Sequence, residues 1–245
     1  MRYKCTVSYD GTLFHGFQSQ GMLRTVQKEI EDVLYIIHKK PVTIYASGRT
    51  DALVHAYGQV FHFDSEIVMK EWNMQNAINT RLPKDIYISS VEIVDESFHA
   101  RFSAVKKEYH YLISLGAFNP LKRNYVFHPS YPRSKIDYNK MEEASKIFIG
   151  THDFKSFTKN HIIENTVRTI YDLKFEYNDD LLTIKIVGNG FLHNMVRIIV
   201  GMLYEVGKGN ITKDDLIKIM EAKDRTKAPK IAPSNGLYLF KVYYE

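Results

Sequence analysis

Three side chains able to do chemistry, Arg49, Asp51 and His55, fall within one short stretch, Ser47-Gly48-Arg49-Thr50-Asp51-Ala52-Leu53-Val54-His55-Ala56. A cation, a carboxylate and an imidazole thus share a polar segment between two apolar runs. An ionised carboxylate presented this way can act as a nucleophile or steady a developing cation. The same residues also make an ordinary tight turn, capped by Asp51, with Arg49 in a surface ion pair worth at most ~1 kcal/mol. Residue types alone leave both readings open, because only convergent partners mark a functional loop.

Two further positions stand out. Arg197 lies among Met195, Val196, Ile198, Ile199 and Val200, a setting that reads as a largely buried helix where an unpaired guanidinium is costly. A buried ion pair and a solvated helix residue are both open readings. Tyr109, in KEYHYLISL, can hold an unstacked base by ~1–3 kcal/mol of stacking, or pack on the core as most tyrosines do. Tyr111 has the same parity on that strand, so alternation does not choose between them. The chain has one cysteine, no CxxC pair and no GxxxxGK[ST] loop. Neither a metal nor a nucleotide cofactor is expected.

The elements that must position these residues follow from periodicity. Alternation over 2–9 predicts a strand. Thr25 as N-cap, with Val26, Ile30, Val33, Leu34 and Ile37, predicts a helix to about His38. Strand signals recur at 42–47, 57–63 and 86–94, with a helix over 70–81. The first hundred residues therefore read β, α, β, β, α, β, the order of the split βαβ fold. A second unit reads as a strand at 107–115, a helix at 137–149 and two strands joined by Asn178-Asp179-Asp180. Helices at 191–206 and 212–222 follow, and the chain ends on a strand at 237–244. The expectation is an α+β protein of two ferredoxin-like (RRM-like) halves, 1–102 and 103–245. They would share a mixed, mostly antiparallel sheet with an active-site cleft between them.

With 245 residues, 44% of them hydrophobic, 17 Tyr and 14 Phe, the chain has ample material for a packed interior. No apolar run reaches the length of a membrane span, and the N-terminus reads as a strand rather than a signal peptide. A cytoplasmic protein with no membrane partner is expected. The net charge is +5, which by itself speaks as much to solubility as to a polyanion. Cations interleaved with rings in RFSAVKKEYHYLI and NPLKRNYVFHPSYPR suit phosphates and unstacked bases. Lys106, Lys107, Lys122, Arg123, Lys155, Lys159 and Arg168 are, as a group, candidate backbone contacts.

GRTDALVHA resembles the GRTDAGVHA signature of the tRNA pseudouridine synthase A family. YDGTLFHGFQSQ with TVQ (9–27), FHARFSAVKKEYHYLI (98–113), GTHDFKSF (150–157), TVRTI (166–170), GNGFLHNMVRIIVG (188–201) and the AP..GLYL segment (232–239) follow in that family's order and spacing. The resemblance runs from residue 3 to residue 243. It implies cofactor-independent isomerisation of uridine to pseudouridine in tRNA, at positions 38–40 of the anticodon stem-loop, by a homodimer. It further implies that Asp51 is the nucleophile and that Tyr109 stacks on the target uracil, its hydroxyl helping to move a sugar proton. Arg197 would keep Asp51 ionised from the other half of the chain. Arg49 would bind substrate where the nucleotide leaves its stack. His55 is a substrate-binding candidate whose plainer reading is a packed strand residue. Leu53 stands where the family usually has glycine, and a positive φ there would strain the loop.

A non-catalytic RNA-binding module is the rival from a different class, since split βαβ halves also describe RNA-recognition domains; the RNP1 pattern is absent. A DNA-binding regulator lacks a helix-turn-helix or zinc-finger pattern.

Overall fold

A computed structural model describes residues 1–130, 136–160 and 162–244. They form nine strands and five α-helices in mixed, mostly antiparallel pairing, an α+β protein. Two compact units emerge, Met1–Val105 with Tyr238–Glu245, and Lys106–Leu237. The end of the basic, aromatic stretch NPLKRNYVFHPSYPR, residues 131–133, lies outside the described residues.

The first unit contains β1 (Arg2–Tyr9), α1 (Val26–His38), β2 (Tyr45–Ala46), β3 (His55–Asp64), α2 (Glu71–Asn79), β4 (Ile86–Val94) and most of β9 (Leu237–Tyr243). β1 lies between β4 and β3, antiparallel to both. Its alternate residues Tyr3, Cys5, Val7 and Tyr9 are buried, with Phe61 and Phe63 across the ladder from Cys5 and Tyr3. The far edge of β3 is divided. β2 takes its C-terminal end, pairing Tyr45 with His62, and β9 runs parallel to its start, pairing His55 with Tyr238. α1 buries Val26, Ile30, Val33 and Leu34 as its spacing requires, and Thr25 Oγ1 accepts the Lys28 N–H as N-cap. The last buried position is His38 rather than Ile37; its ring bridges the Leu34 carbonyl and Ser65 Oγ.

The second unit orders its strands β5 (Lys106–Ser114), β8 (Leu181–Gly188), β7 (Val167–Asn178) and β6 (Gly150–Asp153), all antiparallel. Three helices complete it: α3 (Tyr138–Ser145), α4 (Met195–Gly207) and α5 (Lys213–Ala222). Asp179, at φ 48°, supplies the left-handed residue that joins β7 to β8. Thr212 and Asp215 form a reciprocal capping box on α5.

Three expectations need correction. The strand at 42–47 is reduced to Tyr45–Ala46, because the Ile44 N–H is taken by the Glu31 carboxylate instead of a ladder partner. The helix at 137–149 is α-helical only to Ser145 and then tightens into a 3-10 turn. The helix expected from 191 begins at Met195, since Asn194 at φ 64° breaks the run, which leaves Phe191 and His193 off the helix. β6 was not anticipated: four residues carry too little alternation to read.

β3 also buries a titratable group. Burial, with the nearby Arg2 and His99 charges, holds the His62 imidazole down at about 4. Its Nδ1 accepts the Ala100 N–H at 3.1 Å, tying the segment before β5 to the sheet. The folded-state pKa lies below the ordinary 6.5, so protonation favours unfolding. His62 should therefore contribute about 2–3 kcal/mol above pH ~6.5, lost as the pH falls towards 4. Urea midpoints measured across that window should decline in the wild type and decline less in His62→Gln. Parallel profiles for the two would remove His62 as the cause.

Candidate active site

The loop between β2 and β3 is built from its flanks inward. Ser47 Oγ donates to Gln59 Oε1 at 2.7 Å, and Gln59 Nε2 donates back to the Gly48 carbonyl at 2.9 Å. Both side chains are buried, and the Gln59 amide, whose Oε1 also accepts the Val60 N–H at 3.1 Å, ties the loop to the strand. One step on, the Tyr9 hydroxyl and Thr50 Oγ1 bond at 2.8 Å in the core, and the Thr50 carbonyl accepts the Phe17 N–H at 3.1 Å.

Asp51 follows, half-buried. Its carbonyl accepts the Val54 N–H at 3.2 Å, closing a four-residue turn, and the Leu53 N–H reaches the Phe14 carbonyl at 3.4 Å. Leu53 has φ 65° whereas Ala52 is not left-handed, the pattern of a type II turn, whose third residue is usually glycine or asparagine. A leucine in that conformation costs roughly 1–2 kcal/mol. The side chain is 44% exposed, so packing offsets little of it.

Two glycines let the 10–17 segment press against this turn. A Cβ on Gly11 would stand 2.1 Å from the Val54 carbonyl oxygen, and one on Gly16, at φ 96°, would stand 2.8 Å from the Thr50 carbonyl oxygen. Arg49 is exposed and its Nη1 donates to Oε1 of Gln18, the residue after that segment, at 2.7 Å.

His55, 2% exposed, opens β3 and stacks on Tyr238 with ring centroids 4.7 Å apart. Its Nδ1 accepts the Gly11 N–H at 3.0 Å. Asp10 Oδ1 lies 3.3 Å from the same nitrogen. In this arrangement His55 joins the 10–11 segment to the sheet.

In the second unit the two tyrosines of β5 part company. Tyr111 is fully buried and its hydroxyl donates to the Pro233 carbonyl at 2.8 Å. Burial pushes that hydroxyl well above the usual phenol range. Tyr109 is half-buried, pairs with Ile186 of β8 and meets Phe191 edge-on at 5.1 Å. Having left the helix, Phe191 can serve as the wall of that ring's site.

Arg197 is half-buried on the first turn of α4, among the buried Met195, Val196 and Ile198. Its Nε donates to the Ala232 carbonyl and its own carbonyl accepts the Ala232 N–H, both at 2.9 Å. One turn later Gly201 lets the 231–232 segment approach: a Cβ there would stand 2.9 Å from the Ala232 nitrogen. The guanidinium is thereby set in direction from one side, and its charge is felt at Tyr111.

The structure thus gathers Arg49, Asp51 and His55 into one tied loop, and anchors Tyr109 and Arg197 separately within the second unit. Sequence reasoning missed the supports Gly11, Gly16, Gln59 and Phe191. A readable signal existed only for Gln59, a lone amide in an apolar strand.

The family pattern described as tRNA pseudouridine synthase matches residues 6–103 and 144–245. The chain belongs to the tRNA pseudouridine synthase family. Asp51, Arg49, His55 and Arg197 fall inside the matched residues, and Tyr109 falls between them. Curated members named tRNA pseudouridine synthase A align end to end. The one from Bacillus velezensis is 47% identical over 249 residues, covering 100% of both chains. That of Geobacillus sp. is 49% identical over 247 residues, covering 100% of this chain and 98% of the relative. That of Bacillus subtilis is 47% identical and covers 100% of both. This tRNA pseudouridine synthase has no helix, among the described residues, long and apolar enough to cross a membrane.

Proposed function

We propose that this enzyme isomerises uridine to pseudouridine in tRNA, at positions 38–40 of the anticodon stem-loop, with Asp51 as the nucleophile. The observation that carries the reading is end-to-end identity near one half with enzymes named tRNA pseudouridine synthase A. The reaction breaks the N1–C1′ glycosidic bond, turns the uracil and rejoins it to C1′ through C5. The hydrogen on C5 leaves as a proton. No electrons are gained or lost, so the chemistry needs only a group to stabilise C1′ and a path for protons.

A carboxylate on a turn fixed from three sides suits the first need. Closure of a base over Asp51 removes water and disfavours its charged form, and a fixed cation opposes that tendency; this is the role proposed for Arg197. Tyr109, with one ring edge already supported by Phe191, is proposed to stack on the uracil and relay a sugar proton. Arg49 is proposed to help the nucleotide leave its stem. His55 belongs to substrate binding indirectly, through the Gly11 segment it holds.

The reading is tested by tritium release from tRNA labelled at uracil C5. Release into water by the wild type is expected; binding without release would favour an RNA-binding module. Tyr109→Leu should lower kcat/KM by about 10- to 100-fold through lost stacking, and Tyr111→Leu should instead lower the urea midpoint. If the two variants behave alike, the assignment of Tyr109 fails.

The working form is proposed to be a cytoplasmic homodimer, letting shape and backbone contacts select the target. Light scattering should give the mass of two chains, and a monomer at micromolar concentration would overturn the dimer.

A further inference from the structure

Arg168, the second residue of β7, carries a guanidinium that folding uses only in part. It is half-buried, and burial pulls its pKa below the usual arginine value. Its Nη1 donates to the Asn165 carbonyl at 3.1 Å and to the Val167 carbonyl at 2.6 Å, both just before it in the chain. Among the described residues no carboxylate pairs with it, and Nε and Nη2 have no acceptor. A charge drawn out of water without a counter-ion is costly, yet here it is held in a fixed direction with donors to spare.

The β ladder sets where it points. Gly188 pairs with Ile170 on one side and with Lys107 on the other. Arg168, two residues before Ile170, and Tyr109, two residues after Lys107, therefore face the same side of the sheet. Asn189 continues the pairing: its N–H donates to the Thr169 carbonyl at 3.0 Å, and its Oδ1 accepts the Thr169 N–H at 2.9 Å. Gly190 is thereby laid against Arg168, where a Cβ would stand 3.7 Å from Nε and 3.8 Å from Cδ. Phe191 then turns back over Gly188, with Cζ 3.1 Å from the position of a Cβ there, and meets Tyr109 edge-on at 5.1 Å. The order on this face is Arg168, Phe191, Tyr109. Two strand spacings and four residues of rise put about 16 Å between the outer two Cα positions. Two extended side chains with one nucleotide between them cover that distance.

A planar guanidinium with unused donors matches a phosphate. An extruded nucleotide needs holding at both ends, its base on a ring and its backbone on a cation, because phosphate contacts fix register. We propose that Arg168 is a substrate-binding residue whose guanidinium grips a phosphate flanking the target uridine while the uracil lies on Tyr109. The inference rests on the pseudouridine synthase reading.

A cycle between protein and RNA tests it. Two C5-labelled tRNAs are assembled by ligation, each with one uncharged methylphosphonate, either 5′ or 3′ to the target uridine. Tritium release is measured for wild type, Arg168→Gln and Arg168→Lys, alongside unmodified tRNA. On unmodified tRNA, Arg168→Gln should lower kcat/KM about 10- to 100-fold, as expected for a lost hydrogen bond to a charged group, and Arg168→Lys should fall between. The slope of log Kd against log salt should drop by about 1 for Arg168→Gln. At one of the two positions the methylphosphonate should cost the wild type as much as Arg168→Gln does, and should cost that variant less than about 2-fold more, since the contact is already gone. Losses that multiply at both positions overturn the proposal, as does Arg168→Gln with wild-type kcat/KM and salt slope. Should Arg168→Gln fail to fold, as judged by urea unfolding, the same cycle with Arg168→Lys decides: a methylphosphonate penalty equal to that of the wild type at both positions overturns it. A wild type that releases no tritium from unmodified tRNA brings down the pseudouridine reading and this inference with it. An active wild type whose losses multiply with those of Arg168→Gln brings down this inference alone.

Discussion

Asp51→Asn should release no measurable tritium from C5-labelled tRNA, a fall of at least about 10⁴-fold, while binding the same tRNA within about 3-fold of wild type. The size of the effect follows from chemistry: an amide of the same shape has no ionised oxygen to attack or stabilise C1′. Preserved affinity follows from how the loop is held. The turn closes through the Asp51 carbonyl and the Val54 N–H, and its flanks are secured by Tyr9 to Thr50 and by Ser47 and Gly48 to Gln59. Binding to structured RNA draws mainly on phosphate contacts, which one carboxylate does not make. Filter binding and tritium release on the same preparations separate the two quantities. Equal turnover by Asp51→Asn would exclude this residue as the nucleophile, and binding by both proteins without turnover would point to the non-catalytic RNA-binding module.

Gly11→Ala should lower stability by about 2–4 kcal/mol and kcat by about 10²-fold, although residue 11 carries no chemistry. Its Cβ would lie 2.1 Å from the Val54 carbonyl oxygen, 2.6 Å from the Val54 carbonyl carbon and 3.1 Å from that of Leu53. All three are backbone atoms, so no side-chain rotation relieves the contact, and either the Asp51 turn or the 10–13 segment must shift. The latter is itself anchored: the Gly11 N–H bonds to His55 and the Asp10 N–H to the Asp85 carbonyl. Displacement of the nucleophile is therefore the accessible response. Gly21→Ala is the fitting control, because Gly21 has φ 51° but nothing within 4 Å of its would-be Cβ; it should cost about 1 kcal/mol and leave kcat unchanged. Near-UV circular dichroism at the assay temperature establishes that Gly11→Ala is folded. Wild-type stability and turnover in Gly11→Ala would refute the tight approach of residue 11 to the turn.

These two substitutions show the division of labour in the loop. One residue supplies the reacting oxygen and several others, distant in sequence, fix where it stands. The second group is what mutation is expected to reveal as equally intolerant of change.

By itself the sequence determined whatever rests on neighbours along the chain. Alternation placed β1, a 3.6-residue stripe with Thr25 as cap placed α1, and Asn178-Asp179-Asp180 marked the join of β7 to β8. Motifs in register identified the family, hence the class of reaction. Tertiary structure decided what depends on contacts between distant segments. Tyr109 and Tyr111 share a strand face, and contacts with remote segments, among them the Pro233 carbonyl 122 residues on, commit Tyr111 to the core. The strand expected at 42–47 shrinks because the Glu31 side chain claims an amide that the ladder needed. β9, from the end of the chain, completes the edge of β3 beside His55. Whether Leu53 is strained turns on a backbone angle set by Phe14, Gly11 and the Asp51 carbonyl, none of which periodicity records. Propensity and pattern report the short-range preferences of a chain; hydrogen bonds and close approaches between remote segments come into being only when it folds, and they set the geometry on which catalysis depends.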